Sequence, residues 1–104
     1  MRYEIYTTRR FDKEIKKLSK EENKRIENIY QQLINNPYVG DQLQIKTLRE
    51  KRLDGKRIYY LVFDDLRSVL MIAISDKKVQ QKVINYIMEN INIFRQTIIE
   101  FKST

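Results

Sequence analysis

The segment Lys51-Arg52-Leu53-Asp54-Gly55-Lys56-Arg57 carries the turn around which this chain is built. Asp-Gly between two strand-like runs is a strong two-residue hairpin signal, because both residues enter left-handed backbone conformations at little cost. On its N-terminal side, Leu48 to Leu53 has the two-residue period of a strand. On its C-terminal side, Ile58-Tyr59-Tyr60-Leu61-Val62-Phe63 is continuously apolar, as expected of a central strand covered on both faces. Asp64-Asp65-Leu66-Arg67 turns the chain, and Val69-Leu70-Met71-Ile72-Ala73-Ile74 reads as the next strand. These three strands predict an antiparallel meander.

Working back toward the N-terminus, residues 2–7 read as a first strand, with Tyr3 and Ile5 on one face and Tyr6 on the other. Thr8 is placed to cap a helix whose apolar stripe is Phe11, Ile15 and Leu18. Ser19 with Glu22 forms a capping-box pattern opening a second helix, with Ile26, Ile29, Tyr30, Leu33 and Ile34 on one face. That helix ends at Asn35-Asn36-Pro37, because proline disfavours helical geometry in the residue before it. Residues 38–47 carry weak signals and read as a connection. After the last strand, Asp76 is expected to cap one long helix over about 77–101, with Val79, Val83, Tyr86, Ile87, Ile91, Phe94 and Ile98 along its stripe. The predicted order is β-α-α-β-β-β-α. This is an α+β fold in one domain over residues 1–104, with a helical hairpin on one sheet face and the C-terminal helix nearby. A helix longer than the sheet needs leaves open whether it covers its own sheet or pairs with a second copy in a homodimer.

Composition narrows the chemistry. The 104 residues contain no cysteine and no histidine, which excludes disulfides, thiolate metal sites and the usual neutral-pH acid/base group. We expect no metal and no cofactor. No run approaches the roughly 20 apolar residues of a membrane span, and the first residues lack a secretory apolar core, so a cytoplasmic protein is expected. Lys and Arg outnumber Asp and Glu by 21 to 14, a net charge of +7 that directs attention to acidic partners such as nucleic acid, the ribosome or an acidic protein segment.

The hairpin concentrates that charge. Lys46, Arg49, Lys51, Arg52, Lys56 and Arg57 surround the turn, opposed only by Glu50 and Asp54. Strand alternation puts Arg49 and Lys51 on one face and Arg52 on the other, with Leu48 and Glu50. Facing cations repel unless an anion joins them, and arginine is suited to bidentate phosphate contacts. A solvated hairpin with one arginine paired to a carboxylate fits the same pattern. Lys77-Lys78, after the last strand and near a helix N-terminus, form a second candidate. Tyr59 and Tyr60 lie within the apolar run and read as core, whereas Tyr86 is open to a role in stacking or proton transfer. No paired-carboxylate motif, phosphate-binding glycine loop or nucleophile elbow is present.

The pattern Arg52-x-x-Gly55-x-Arg57-Ile58-x-Tyr60-x-Val62-x-Asp64, followed by an apolar strand and Lys77-Lys78, resembles toxins of the RelE/ParE superfamily. Phe11-x-x-x-Ile15-x-x-Leu18, the run from Ile26 to Leu33 and Asn36-Pro37 are similar to that family's helical hairpin, so the resemblance spans roughly residues 3–90. It implies a β-α-α-β-β-β architecture, often with a C-terminal helix, and a cognate acidic antitoxin that wraps the basic toxin. RelE-like members act in the ribosomal decoding site and cut mRNA through attack of a 2′-hydroxyl on the adjacent phosphate; ParE-like members inhibit DNA gyrase. A third reading is a toxin-fold protein that only binds an antitoxin or RNA. By resemblance, Arg57 matches the phosphate-contacting arginine and Arg52 an arginine of the preceding strand. Lys78 falls where RelE-like enzymes carry an arginine after the last strand, a position that implies a role in stabilising charge or assisting the leaving group. The strand positions that are lysines in the best-known RelE-type nuclease read Leu48 and Glu50, with Lys46 and Lys51 adjacent, and the terminal tyrosine position reads Ile84, with Tyr86 two residues on. The expected catalytic set is therefore Arg57, Arg52, Lys51 as base, Lys78 and Tyr86, with Lys46, Arg49, Lys56 and Lys77 contacting RNA.

Overall fold

The computed structural model describes residues 2–104. Its centre is the expected hairpin: β3 (Leu48–Leu53) and β4 (Lys56–Phe63) join through Asp54 and Gly55, and Asp54 takes the left-handed conformation at φ 55°. The two-residue turn sets the register, pairing Arg52 with Arg57, Lys51 with Ile58 and Glu50 with Tyr59. β5 (Ser68–Asp76) pairs antiparallel with β4, and β1 (Glu4–Thr7) adds in parallel to β5. A two-residue strand, β2 (Asp41–Gln42), extends the other edge, giving the order β1-β5-β4-β3-β2. β2 lies in the segment read as a connection, because two residues carry no period of their own.

Each sheet face has its own cover. α1 (Arg9–Ile15) and α2 (Lys20–Asn35) form the helical hairpin, capped by Thr8 and by the Ser19–Glu22 capping box as their sequences require. Phe11, Ile26, Ile29 and Leu33 pack on Leu53, Ile58, Tyr60, Val62 and Met71. On the opposite face, Leu48, Tyr59, Leu61, Ile72 and Ala73 meet the C-terminal helices. Ile72 and Ala73 share that face because β5 carries one extra residue there: Tyr59 pairs with Ala73 and Tyr60 with Met71. Both tyrosines are core, as read.

The single helix expected over 77–101 is two. A turn of 3-10 helix over Lys77–Val79 leads into α3 (Gln80–Glu89), and α4 (Ile91–Ser103) follows a break at Asn90. The Asn90 side chain donates to the Tyr86 carbonyl and its backbone leaves helical geometry at φ −123°, ψ 18°, which is the competition with the backbone that asparagine offers. Asp76 does not cap this segment through its side chain. The break redirects α4, so Phe94 and Ile98 return to the core, Tyr6 stacks on Phe101 at 5.4 Å, and Arg95 and Lys102 pair with Asp65 and Glu4. The apolar stripe of α4 is thus committed to its own sheet, with Ile93 left 62% exposed.

A buried hydroxyl locks the β2 edge. Tyr60 donates to the Pro37 carbonyl at 2.7 Å and accepts from the Gly40 N–H at 3.1 Å. Gly40 has no room for a side chain, since a Cβ would come within 2.5 Å of that hydroxyl and 2.6 Å of the Glu50 carbonyl oxygen.

The hairpin is tied to α2 by Lys56, whose Nζ lies 2.8 Å from Glu22, while Glu22 also accepts from the Ser19 N–H at 2.9 Å. The Lys56 hydrogen bond, reinforced by that N–H, holds the Glu22 carboxyl down at about 2. Because its folded value is depressed, its contribution is complete above the ordinary value of 4.5 and is lost as the pH falls toward 2. Glu22→Gln should therefore lower stability at neutral pH and converge on the parent by about pH 2 in denaturant titrations. A gap that stays constant from neutral pH to pH 2 would contradict the assignment.

Candidate anion-binding site

The face of the sheet covered by α3 carries the basic residues that the turn brings into register. Arg52, Arg57 and Ser75 form one cross-strand row, because Arg57 is paired with both Arg52 and Ser75. The next row inward is Glu50, Tyr59 and Ala73. Arg52 is exposed, whereas Arg57 is only 8% exposed and Glu50 4%. Lys77 and Lys78 are exposed and follow Asp76, which pairs with Lys56, so they emerge at the same end of the sheet as Arg57. Four cations thus flank one end of the meander.

The buried pair at its floor has an unusual arrangement. Arg57 Nε lies 3.5 Å from Glu50 Oε1 without a hydrogen-bond partner, and both Glu50 oxygens accept from Gln80 Nε2 at 3.1 Å. Beside it, Ser75 donates to the Asp76 carbonyl at 2.9 Å, which leaves the Tyr59 hydroxyl to donate to Ser75 Oγ, also at 2.9 Å. Burial raises the Tyr59 hydroxyl, so it stays a donor at neutral pH. Such a floor can present a fixed guanidinium to an anion, with exposed lysines at the rim supplying further charge.

Several expected partners of Arg57 lie elsewhere. Lys51 is paired with Ile58, so its side chain opens on the α2 face, where it lines a shallow groove with Arg25, Asn28 and Gln32. Lys56, half-exposed, is bound to Glu22. Arg49 hydrogen-bonds the carbonyls of Lys46 and Gly40 at 2.7 and 3.1 Å, and it and Lys46 lie over the Tyr38 ring at 5.0 and 5.3 Å, so Arg49 buttresses the β2 edge. Tyr86 lines a separate groove of about 530 Å³ with Thr8, Arg10, Phe94 and Phe101, its ring under the Arg10 guanidinium and edge-on to Phe94. The register therefore puts Arg52, Arg57, Lys77 and Lys78 at one end of the sheet, whereas Lys51 leaves on the α2 face, in a groove that Arg52 also lines, and Tyr86 lies in a groove of its own. Gln80 and Ser75 were not singled out from sequence. From sequence Glu50 reads as an acid among bases and as a departure from an expected lysine, although the two-residue turn already sets it diagonal to Arg57. Among the described residues, no three acids converge as a metal site would require, and no helix is long and apolar enough to cross a membrane.

No protein-family profile matches the chain, and no curated protein matches its sequence. Solved structures do match. The free E. coli RelE toxin, as a mutant, superposes with a TM-score of 0.69 at 19% identity, over 84% of this chain and 99% of that one. The fold is that of the RelE toxins. RelE in the intact E. coli RelBE toxin–antitoxin complex matches at a TM-score of 0.65 and 19% identity, over 71% of this chain and 95% of that one. The archaeal RelE–RelB complex from Pyrococcus horikoshii matches at 0.66 and 18%, over 74% and 97%. The RelE fold therefore accounts for 71–84% of the chain in these matches, at identities of 18–19% that show the fold alone.

The rim cations should act additively on polyanions. Arg52→Ala and Lys78→Ala should each weaken binding of a single-stranded RNA oligonucleotide and reduce the slope of log affinity against log salt by about 0.7. Unchanged slopes in both variants would remove these residues from the surface that meets phosphate.

Proposed function

We propose that this protein is the toxin of a type II toxin–antitoxin module and acts as a ribosome-dependent mRNA endonuclease in the cytoplasm. The observation that carries the reading is Arg57: a guanidinium nine-tenths buried at its root, with no hydrogen bond from its terminal nitrogens to the described residues, beside exposed Arg52 on a RelE fold of net charge +7. A cation so placed, with no protein acceptor among the described residues at its outer edge, suits a phosphate better than it suits the protein's own stability.

In this mechanism, the mRNA backbone lies across the Arg52–Arg57 row. The 2′-hydroxyl attacks the adjacent phosphorus, the 5′-oxygen leaves, and a 2′,3′-cyclic phosphate results. Arg57 and Arg52 stabilise the charge that builds on the non-bridging oxygens, and Lys78 serves the leaving oxygen. Lys51 opens on the opposite face, so the 2′-proton passes to water, and charge stabilisation supplies the rate enhancement. The ribosome would supply the alignment of the scissile phosphate, which raises effective concentration without further side chains. An acidic antitoxin would cover the same basic face, as the RelE structures in complex with RelB suggest by analogy. The departure of Lys51 onto the α2 face and the neutralising Glu50 favour a second reading, in which the protein binds its target without cutting, as a gyrase-directed or RNA-binding toxin would.

Induced expression separates these. Growth should arrest, with new 5′ ends inside translated mRNAs, and Arg57→Ala should reduce cutting by about a hundredfold or more while remaining folded. Arrest without mRNA cuts would select the binding reading, and an Arg57→Ala protein of full toxicity would remove Arg57 from the mechanism.

A further inference from the structure

Arg57 is approached from behind by a short relay that begins on α3. Gln80, the first residue of that helix, directs one amide nitrogen at both oxygens of Glu50, 3.1 Å from each. Glu50 in turn stands 3.5 Å from Arg57 Nε. That Nε is the sole buried side-chain nitrogen or oxygen among the described residues without a hydrogen-bond partner. The carboxylate thus lies on the Nε side of the guanidinium, and the Nη1 and Nη2 edge is left with no acceptor from the described residues.

A buried Glu–Arg pair that existed for stability would be expected to close into a bidentate contact, because desolvating both ions is costly. Here the carboxylate engages Gln80 with both oxygens and touches the arginine only on its inner side. We propose that Glu50 and Gln80 are positioning residues for Arg57. Glu50 draws the inner edge of the guanidinium toward the sheet, Gln80 fixes the plane of the carboxylate, and the outer edge is thereby held ready for two oxygens of a phosphate. This rests on Arg57 as the phosphate contact of the proposed function, and it adds the residues that aim it.

Simple electrostatics and positioning make opposite predictions for Glu50→Gln. Removing a negative charge next to an arginine strengthens anion binding if charge alone decides. If orientation decides, binding weakens despite the additional net positive charge. The test titrates inorganic phosphate into the full chain and follows the Arg57 Nε–H resonance, assigned by its loss in Arg57→Lys. In the parent protein, phosphate should shift this resonance in a saturable way. Glu50→Gln should weaken phosphate binding roughly fivefold, and Gln80→Ala, which changes no charge, should weaken it about threefold. Gln80→Ala and Arg57→Ala combined should bind no more weakly than Arg57→Ala alone.

Tighter phosphate binding by Glu50→Gln, an unchanged affinity in Gln80→Ala, or an Arg57 resonance indifferent to phosphate would each overturn the proposal. Should Glu50→Gln fail to fold, Gln80→Ala alone decides. The readout needs neither ribosomes nor cleavage. A protein that cuts no mRNA but shows these shifts keeps the relay and loses the nuclease, whereas cutting with unaltered Gln80→Ala affinity does the reverse.

Discussion

The pairing of β3 with β4 across Asp54 and Gly55 is the constraint from which the rest follows. β4 is buried on both faces, so its alternation cannot slip by one residue without moving Ile58, Tyr60 and Val62 out of the core that the helical hairpin covers. That same register places Arg52 opposite Arg57 and Glu50 opposite Tyr59. The basic site is therefore a by-product of the register that packs the core, which gives its side chains a rigid support. Tyr60 extends the constraint to the sheet edge: its hydroxyl, pushed up to about 12 chiefly by burial, remains a donor and pins Pro37 and Gly40.

Electrostatics divides the cations into two populations. Of those facing the helical hairpin or the sheet edge, Lys56 is bound by Glu22, Arg25 by Asp54, and Arg49 by carbonyl oxygens and the Tyr38 ring, while Lys51 lines a groove. Those on the α3 face are different. Arg52, Lys77 and Lys78 are exposed, and Arg57 has an acid at its Nε and no acceptor among the described residues at its outer edge. A dense basic sequence thus resolves into structural cations on one side and a smaller, directed set on the other. The directed set is what an anion would meet.

Much of this fold was legible because local chemistry decides it. Thr8, Ser19 with Glu22 and Asn36-Pro37 act within a few residues, and each does in the structure what its type requires; Asp54-Gly55 makes the expected turn with Asp54 alone at positive φ. Two features depend on distant packing and left no local trace, the two-residue β2 and the extra residue at Ile72, whereas the break at Asn90 has a local cause in the asparagine itself. The site follows the same division. Alternation alone separates Lys51 from Arg52, so grouping Lys51 with Arg57 on charge conflicted with a pattern already visible in the strand. Glu50 could be placed near Arg57 by counting from the turn. Gln80 could not, because its meeting with Glu50 depends on where α3 crosses the sheet.

The central claim is that the Arg52–Arg57 row holds a phosphate while the neighbouring 2′-hydroxyl attacks it. The most direct measurement is cleavage of a defined mRNA on purified, programmed ribosomes, comparing an all-ribose message with one carrying a single 2′-deoxynucleotide at the mapped cleavage position. The account predicts a cut that ends in a 2′,3′-cyclic phosphate with the first message and no cut at that position with the second. Equal cleavage of both messages would contradict it.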